Sequence, residues 1–247
     1  YGVYQVASEE CERCVLDALS VGYRAVDTAQ AYANEEGVGS ALKKSGVPRG
    51  EVFLTTKVWI TDAGEEKAAR SIDESLRKLG TDYVDLLLIH QPFGDYYGTY
   101  RAMEKAYKAG KVRAIGVSNF YPDRFIDLAN FCEVTPAVNQ VETHVFQQQK
   151  VARGVAEKYG TLIQSWGPFA EGKNGIFTNE TLVKIGKKYG KTAAQTALRF
   201  LLQSGVAIIP KSTHKERMAE NLDVLNFSLS EEDMREISAL DTGKSLF

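Results

Sequence analysis

The sequence predicts an α/β fold, an eight-stranded parallel (β/α)8 barrel, and three observations carry that prediction. Short β-rich runs alternate with helix-like stretches from end to end. Strand after helix after strand implies βαβ units with right-handed crossovers and a parallel sheet. The 247 residues are close to the ~250 typical of such a barrel. Finally, seven of the predicted strands end on polar residues able to do chemistry, and in a parallel barrel all strand C-termini share one face.

The predicted strands are residues 2–6, 24–28, 52–57, 83–90, 114–117, 137–141, 161–166 and 206–210. The first predicted helix spans 8–20, with Ser8 as its cap and Val15, Leu16 and Leu19 as its apolar stripe. The next spans 65–79, with Ala68, Ile72, Leu76 and Leu79 on one side and Gly80 as its stop. Further helices are predicted over 100–109, 122–131, 148–159 and 192–202, and another is expected to open after Pro210-Lys211-Ser212. Gly22, Gly80, Gly110, Gly160 and Gly205 each mark a passage from helix to strand. No linker rich in Pro, Gly or Ser divides the chain, so one domain over 1–247 is expected. An open doubly wound sheet is the alternative. It would call for G-x-G-x-x-G after the first strand, where this chain has Ala7-Ser8-Glu9-Glu10.

Composition excludes several function classes. The hydrophobic fraction of 44% and charged fraction of 25% are those of a globular protein. A net charge of −2 gives no global field for nucleic acid or anionic lipid. No apolar run approaches the ~20 residues that span a bilayer. The chain opens on Tyr1-Gly2-Val3-Tyr4 without a Met or a charged leader, so it reads as trimmed at its start; a cytoplasmic protein is expected from its cysteine usage. Three cysteines favour a reducing compartment over a disulfide framework. Cys11 and Cys14 form C-x-x-C, but without a second ligand pair and inside a predicted helix. With three dispersed histidines besides, no metal site is expected.

The polar strand ends are Asp27 (with Tyr32 a turn later), Lys57, His90, Ser118-Asn119, Gln140, Trp166 and Lys211-Ser212. Each has an ordinary reading: a helix cap at Asp27-Thr28, a snorkelling Lys57, a core His90, and Tyr32 as one of 12 tyrosines. Together they suggest chemistry. A tyrosine is a poor acid near neutrality. A nearby lysine favours the phenolate and lowers the pKa, and an aspartate keeps that lysine charged. A histidine can hold a substrate carbonyl close to the hydroxyl. The set makes a general acid for an oxygen that gains negative charge, as carbonyl reduction by hydride transfer requires. An aldolase using Lys57 as a Schiff base would instead need a neutral lysine.

Six segments resemble the aldo-keto reductase superfamily, in order along essentially the whole chain. They are Asp27-Thr28-Ala29-Gln30-Ala31-Tyr32-Ala33-Asn34-Glu35-Glu36-Gly37-Val38-Gly39, Leu54-Thr55-Thr56-Lys57-Val58-Trp59, Asp85-Leu86-Leu87-Leu88-Ile89-His90, Gly116-Val117-Ser118-Asn119-Phe120, Asn139-Gln140-Val141-Glu142 and Ile209-Pro210-Lys211-Ser212. Within the superfamily the chain is similar to the microbial group that includes the 2,5-diketo-D-gluconate reductases. The resemblance implies Tyr32 as proton donor, Lys57 and Asp27 as the pair that depresses its pKa, and His90 as the residue that orients the carbonyl. It implies a nicotinamide coenzyme across the barrel mouth, with Ser118, Asn119 and Gln140 on the carboxamide and Trp166 stacked on the ring. Gly167 stands where a serine is common, which removes one pyrophosphate hydrogen bond or moves it to backbone. Lys211, Ser212, Thr213 and Arg217 match 2′-phosphate positions, and Glu220 and Asn221 match adenine positions.

That last segment opens a helix, whose free N–H groups and positive dipole end suit phosphate. With Lys211 and Arg217 beside it, NADP(H) is the expected coenzyme. By position in the motifs, Tyr4, Trp59 and Phe93 should ring the carbonyl site with His90. Gln91 replaces a tryptophan frequent in relatives, which points to a polar substrate such as a sugar-derived ketone or a small dicarbonyl. By the resemblance an N-terminal hairpin and a C-terminal substrate loop are missing, a non-catalytic nucleotide-binding subunit or sensor is the alternative function, and a monomer is expected.

Overall fold

The computed structural model covers residues 1–247. Its centre is a sheet of seven parallel strands in sequential order: β1 (Ala25–Asp27), β2 (Phe53–Val58), β3 (Leu86–Ile89), β4 (Ile115–Ser118), β5 (Val138–Glu142), β6 (Leu162–Trp166) and β7 (Ala207–Ile208). Helices surround it: α1 (Ser8–Val21), α2 (Glu35–Lys44), α3 (Glu65–Leu79), α4 (Tyr96–Lys108), α5 (Pro122–Phe131), α6 (Lys150–Lys158), α7 (Glu180–Tyr189), α8 (Ala193–Gln203), α9 (Lys215–Leu222) and α10 (Glu231–Ser238). Sequential parallel order with helices between strands is the arrangement of an α/β barrel.

Residues 2–6, predicted as the first strand, do not form one. Gly2 makes a single parallel bridge to Asp27, and the chain turns at Tyr4-Gln5, where Gln5 has φ 56°. This short piece nevertheless sits between the first and last strands. Gly2 N donates to Pro210 O at 3.1 Å, and Val3 N donates to Asp27 O at 3.0 Å. The apolar residues Val3 and Val6 made the stretch read as a strand, but the turn leaves room for only one rung of the ladder.

Local chemistry explains the helices. α3 buries Ala68, Ile72, Leu76 and Leu79, one stripe at helical spacing. It ends at Gly80, in the left-handed region with φ 63°, whose N–H returns to the last turn. α2 packs against it through Gly39, where a Cβ would lie 2.6 Å from the Leu79 carbonyl oxygen. Ser8 does not cap α1. Ala7 holds that position, and the Ser8 hydroxyl donates to Ala33 O at 2.8 Å. α8 opens on a complete capping box between Thr192 and Gln195. α2, α7 and α10 are additional to the predicted set.

β3 is buried along its whole length, as expected of a parallel strand covered on both faces. Below it, Asp85 accepts from Leu54 N and Arg49 at 2.9 Å and from Arg113 at 3.1 Å. This network lies at the N-terminal ends of the strands, opposite the face described next. Cys11 and Cys14 are both buried without a disulfide, and burial pushes the Cys11 thiol up to about 12. Burial inside α1 favours the protonated thiol.

Candidate active site

At the C-terminal ends of the strands lies a cavity of about 720 Å³. Asp27, Tyr32, Trp59, His90, Ser118, Asn119, Gln140, Trp166, Gly167, Lys211 and Tyr4, each singled out in the sequence, line it. Parallel strands of matched register make this convergence automatic, since Lys57 pairs with Leu88 and Ser118 with Gln140.

Lys57 stands behind the cavity wall, fully buried near the end of β2. Its ammonium donates to Asp27 Oδ1 at 2.5 Å, to Thr28 O at 3.0 Å and to the Tyr32 hydroxyl at 3.3 Å. Burial works to lower the Lys57 pKa, but the charge of Asp27 and its hydrogen bonds outweigh it, and the pKa rises. Lys57 therefore stays an ammonium. Asp27 is fixed on its other side by Gln140 Nε2 at 2.8 Å from Oδ2.

Tyr32 closes a short 3-10 turn, Gln30–Tyr32, that follows β1. Its pKa differs from the sequence expectation. Burial raises it above the ordinary phenol value, with Lys57 pulling in the other direction. Lys57 thus limits a rise that the cavity imposes and does not produce a net fall. The Tyr32 ring meets the His90 imidazole edge-on at 5.5 Å, and Trp59 meets the same imidazole at 4.9 Å. Tyr4 packs 5.1 Å from Tyr32.

His90 follows β3, and burial followed by the charge of Lys57 lowers its pKa to about 3. The imidazole is neutral over the ordinary working range. Its Nδ1 is buried without a partner. A buried N–H without an acceptor is the costlier orphan, so the ring proton belongs on Nε2.

The remaining cavity residues form a framework among themselves. Ser118 Oγ donates to Gln140 O at 2.9 Å, and Asn119 Nδ2 donates to His90 O at 3.2 Å. Asn119 has φ 61°, which turns its amide so that Oδ1 accepts from Trp166 Nε1 at 2.8 Å. Both amide protons of Gln140 are used, by Asp27 and by Gln164, and its Oε1 keeps free acceptor capacity.

The segment expected to meet a phosphate lies at one rim. Lys211 lines the cavity, and α9 begins four residues later. The first intrahelical bond is Met218 N to His214 O, so the N–H groups of Lys215, Glu216 and Arg217 have no helix partner. Arg217 is exposed, and neither it nor Lys211 is paired with a carboxylate. Ser212 is buried, its hydroxyl accepting from His214 N at 3.1 Å. Thr213 follows, half-buried, with its carbonyl accepting from Arg13. Asn221 is buried, while the Glu220 carboxylate accepts from Thr192 at 2.8 Å. Unpaired donors and cations at a helix start fit a phosphorylated nucleotide.

Phe93, expected in the ring around the carbonyl site, does not join the cavity wall; it is 55% exposed on the turn after β3. Conversely, Phe169, Glu171, Phe177 and Phe247 line the cavity without having been singled out in the sequence. Three of them belong to the irregular segment 167–178, which has no period to reveal its role; its clue is Gly172 and Gly175 among aromatics. A second cleft of about 370 Å³ between α2 and α3 shares only Trp59 with this cavity.

The family model described as Aldo/keto reductase family matches residues 2–242. Glyoxal reductase of Bacillus subtilis (strain 168) is 46% identical over 242 residues, covering 97% of this chain and 87% of that protein. Among solved structures, MGS-M4, an aldo-keto reductase from a Medee basin deep-sea metagenome library, is 42% identical. It superposes with a TM-score of 0.97 over 100% of this chain and 92% of that one. A Gox0644 mutant solved in complex with NADPH is 38% identical, with a TM-score of 0.94 over 100% of this chain and 90% of its own.

Proposed function

The chain belongs to the aldo/keto reductase family, and on that premise we propose that it reduces an aldehyde or ketone to an alcohol with NADPH, Tyr32 giving the proton. The observation that carries this reading is the meeting of Asp27, Lys57, Tyr32 and His90 at one end of the cavity. When bound, NADPH supplies the hydride that the carbonyl carbon receives. Ser118, Asn119 and Gln140 would bind its carboxamide, Gln140 as acceptor, and Trp166 would present its ring. Gly167 brings backbone to the same wall with φ 63°. Lys211, Ser212, Thr213 and Arg217 would hold the 2′-phosphate, with Glu220 and Asn221 nearer the adenine.

The chain's own part in the reaction is proton delivery and charge stabilisation. His90 donates through Nε2 to the substrate oxygen and holds it beside the Tyr32 hydroxyl. As the carbonyl carbon gains hydride, its oxygen becomes negative and takes the phenolic proton. The phenolate left behind faces the Lys57 ammonium at hydrogen-bond distance. Asp27 keeps that ammonium charged, which also disfavours a Schiff base on Lys57. Trp59 and Tyr4 frame the carbonyl site, and Gln91 adds a polar side chain to the lining. A small polar carbonyl compound, such as a dicarbonyl or sugar-derived ketone, is the substrate class, handled by a monomer of one domain in the cytoplasm.

The test is Tyr32→Phe, assayed by loss of reduced coenzyme absorbance with methylglyoxal. Turnover should fall by about 10²- to 10⁴-fold, the contribution of a positioned general acid. Coenzyme binding, read by fluorescence titration, should hold. Normal turnover in this variant would remove Tyr32 from the acid role.

A further inference from the structure

Gln30 stands inside the segment 27–39, yet proton delivery and coenzyme binding leave it without a role. It opens the 3-10 turn that carries Tyr32, two residues before the phenol. Its backbone carbonyl accepts from Ala33 N at 3.2 Å and closes that turn. Its side chain makes three bonds outside the turn. Oε1 accepts from Trp59 N at 2.8 Å, and Nε2 donates to Ser71 O at 3.2 Å and to Ser75 Oγ at 3.0 Å. Trp59 N can only donate and Ser71 O can only accept, so the amide has one orientation.

The bond to Trp59 falls where the sheet stops helping. β2 ends at Val58, so the Trp59 amide has no strand ladder to join. Besides the cavity, Trp59 borders the cleft of about 370 Å³ between α2 and α3. All the other residues lining that cleft are polar or charged, Gln30, Ser71 and Ser75 among them. The indole therefore has no apolar side chain behind it on that side, and its position depends on how its backbone is held.

That position matters to His90. The indole meets the imidazole at 4.9 Å, and the Tyr32 ring meets it at 5.5 Å. A histidine is ordinarily oriented by the hydrogen bond its second ring nitrogen makes. In His90 the buried Nδ1 has no hydrogen-bond partner. The neighbouring rings take over that task. Gln30 joins them, with its backbone in the Tyr32 turn, its Oε1 on the Trp59 strand end and its Nε2 on α3.

We propose that Gln30 is a positioning residue for His90: it ties the Tyr32 turn and the Trp59 strand end to α3, and so fixes the two rings that aim the imidazole at the substrate oxygen. This rests on reading the cavity as a carbonyl-reduction site.

Two variants test it. Gln30→Met keeps the length of the side chain and removes its three bonds. Gln30→Glu keeps an acceptor for Trp59 N and loses the donor to Ser71 O. With methylglyoxal, single-turnover hydride transfer in Gln30→Met should be about 10- to 100-fold slower than in the parent, the cost of a slightly misplaced catalytic group. NADPH affinity, read by fluorescence titration, should stay within about twofold, separating orientation from coenzyme binding. Gln30→Glu should transfer hydride faster than Gln30→Met; equal rates would rule out the bond to Trp59 as the cause. In NMR spectra the His90 ring signals, shifted by the Tyr32 and Trp59 rings, should move in Gln30→Met and move less in Gln30→Glu. A merely structural Gln30 would lower the melting temperature and leave both the transfer rate per folded molecule and the His90 signals at parent values, which overturns the proposal. Should Gln30→Met fail to fold, unmoved His90 signals in Gln30→Glu overturn it instead. If the parent chain reduces no carbonyl compound, the reductase reading falls by itself. The His90 signals then decide alone: unmoved in Gln30→Met, they sink the positioning role as well.

Discussion

His90 shows how much a single side chain owes to its surroundings. Its pKa lies at about 3, against 6.5 for a free histidine, through burial and the charge of Lys57. Between those values the unfolded chain binds a proton that the folded chain refuses. Stability therefore rises with pH across the interval and falls as pH drops from 6.5 toward about 3. His90→Gln removes this linkage. Its melting temperature should fall less steeply than the parent's on acidification from about pH 6 to about pH 4, and equal slopes would show that His90 titrates normally in the folded chain. The sequence marked His90, Lys57, Asp27 and Tyr32 by their places at strand ends. It could not give the sign of the Tyr32 shift, because that depends on how much solvent the completed cavity excludes. The same holds for Phe93, whose motif position says nothing of which way the turn after β3 faces.

At the scale of elements, the start of α9 and the packing of α2 each carry a prediction. Lys211 and Arg217 flank free N–H groups at the α9 N-terminus and have no carboxylate partners. Replacing both with alanine should raise KM for NADPH by about 10- to 100-fold, through loss of charge-assisted bonds, with little change for NADH. Equal losses with the two coenzymes in steady-state assays would place the 2′-phosphate elsewhere. Gly39 is needed for close approach, since an added Cβ would meet Leu79 O at 2.6 Å. Gly39→Ala should push α2 off α3 and cost about 1–3 kcal/mol in urea unfolding; full stability would mean the two helices slide without cost. α3 was legible to the residue because an amphipathic stripe and a terminal glycine fix both its face and its end. α10 was not, since its acidic first turn and the cap at Ser230 matter only once Asp233 finds Lys188 and Tyr189.

On the scale of the molecule, the two ends of the sheet divide the labour. The strand C-termini hold the cavity, and the N-terminal ends hold Asp85 with its three donors. Asp85→Ala leaves Leu54 N buried without an acceptor and should cost about 1–3 kcal/mol of stability. Turnover per folded molecule should be unchanged, because nothing in the network touches the cavity; a lower value would mean the two faces are coupled. The sequence by itself determined the alternation of strand and helix, the strand order and the residues at the strand ends, because periodicity and parallel connection are local rules with few solutions. Only the tertiary structure decided that residues 2–6 make one bridge in place of a strand, that burial outweighs Lys57 at Tyr32, and that Phe247 and the segment 167–178 wall the cavity. Those outcomes depend on contacts between segments far apart in the chain, and on the loss of water when they close, which no local pattern encodes.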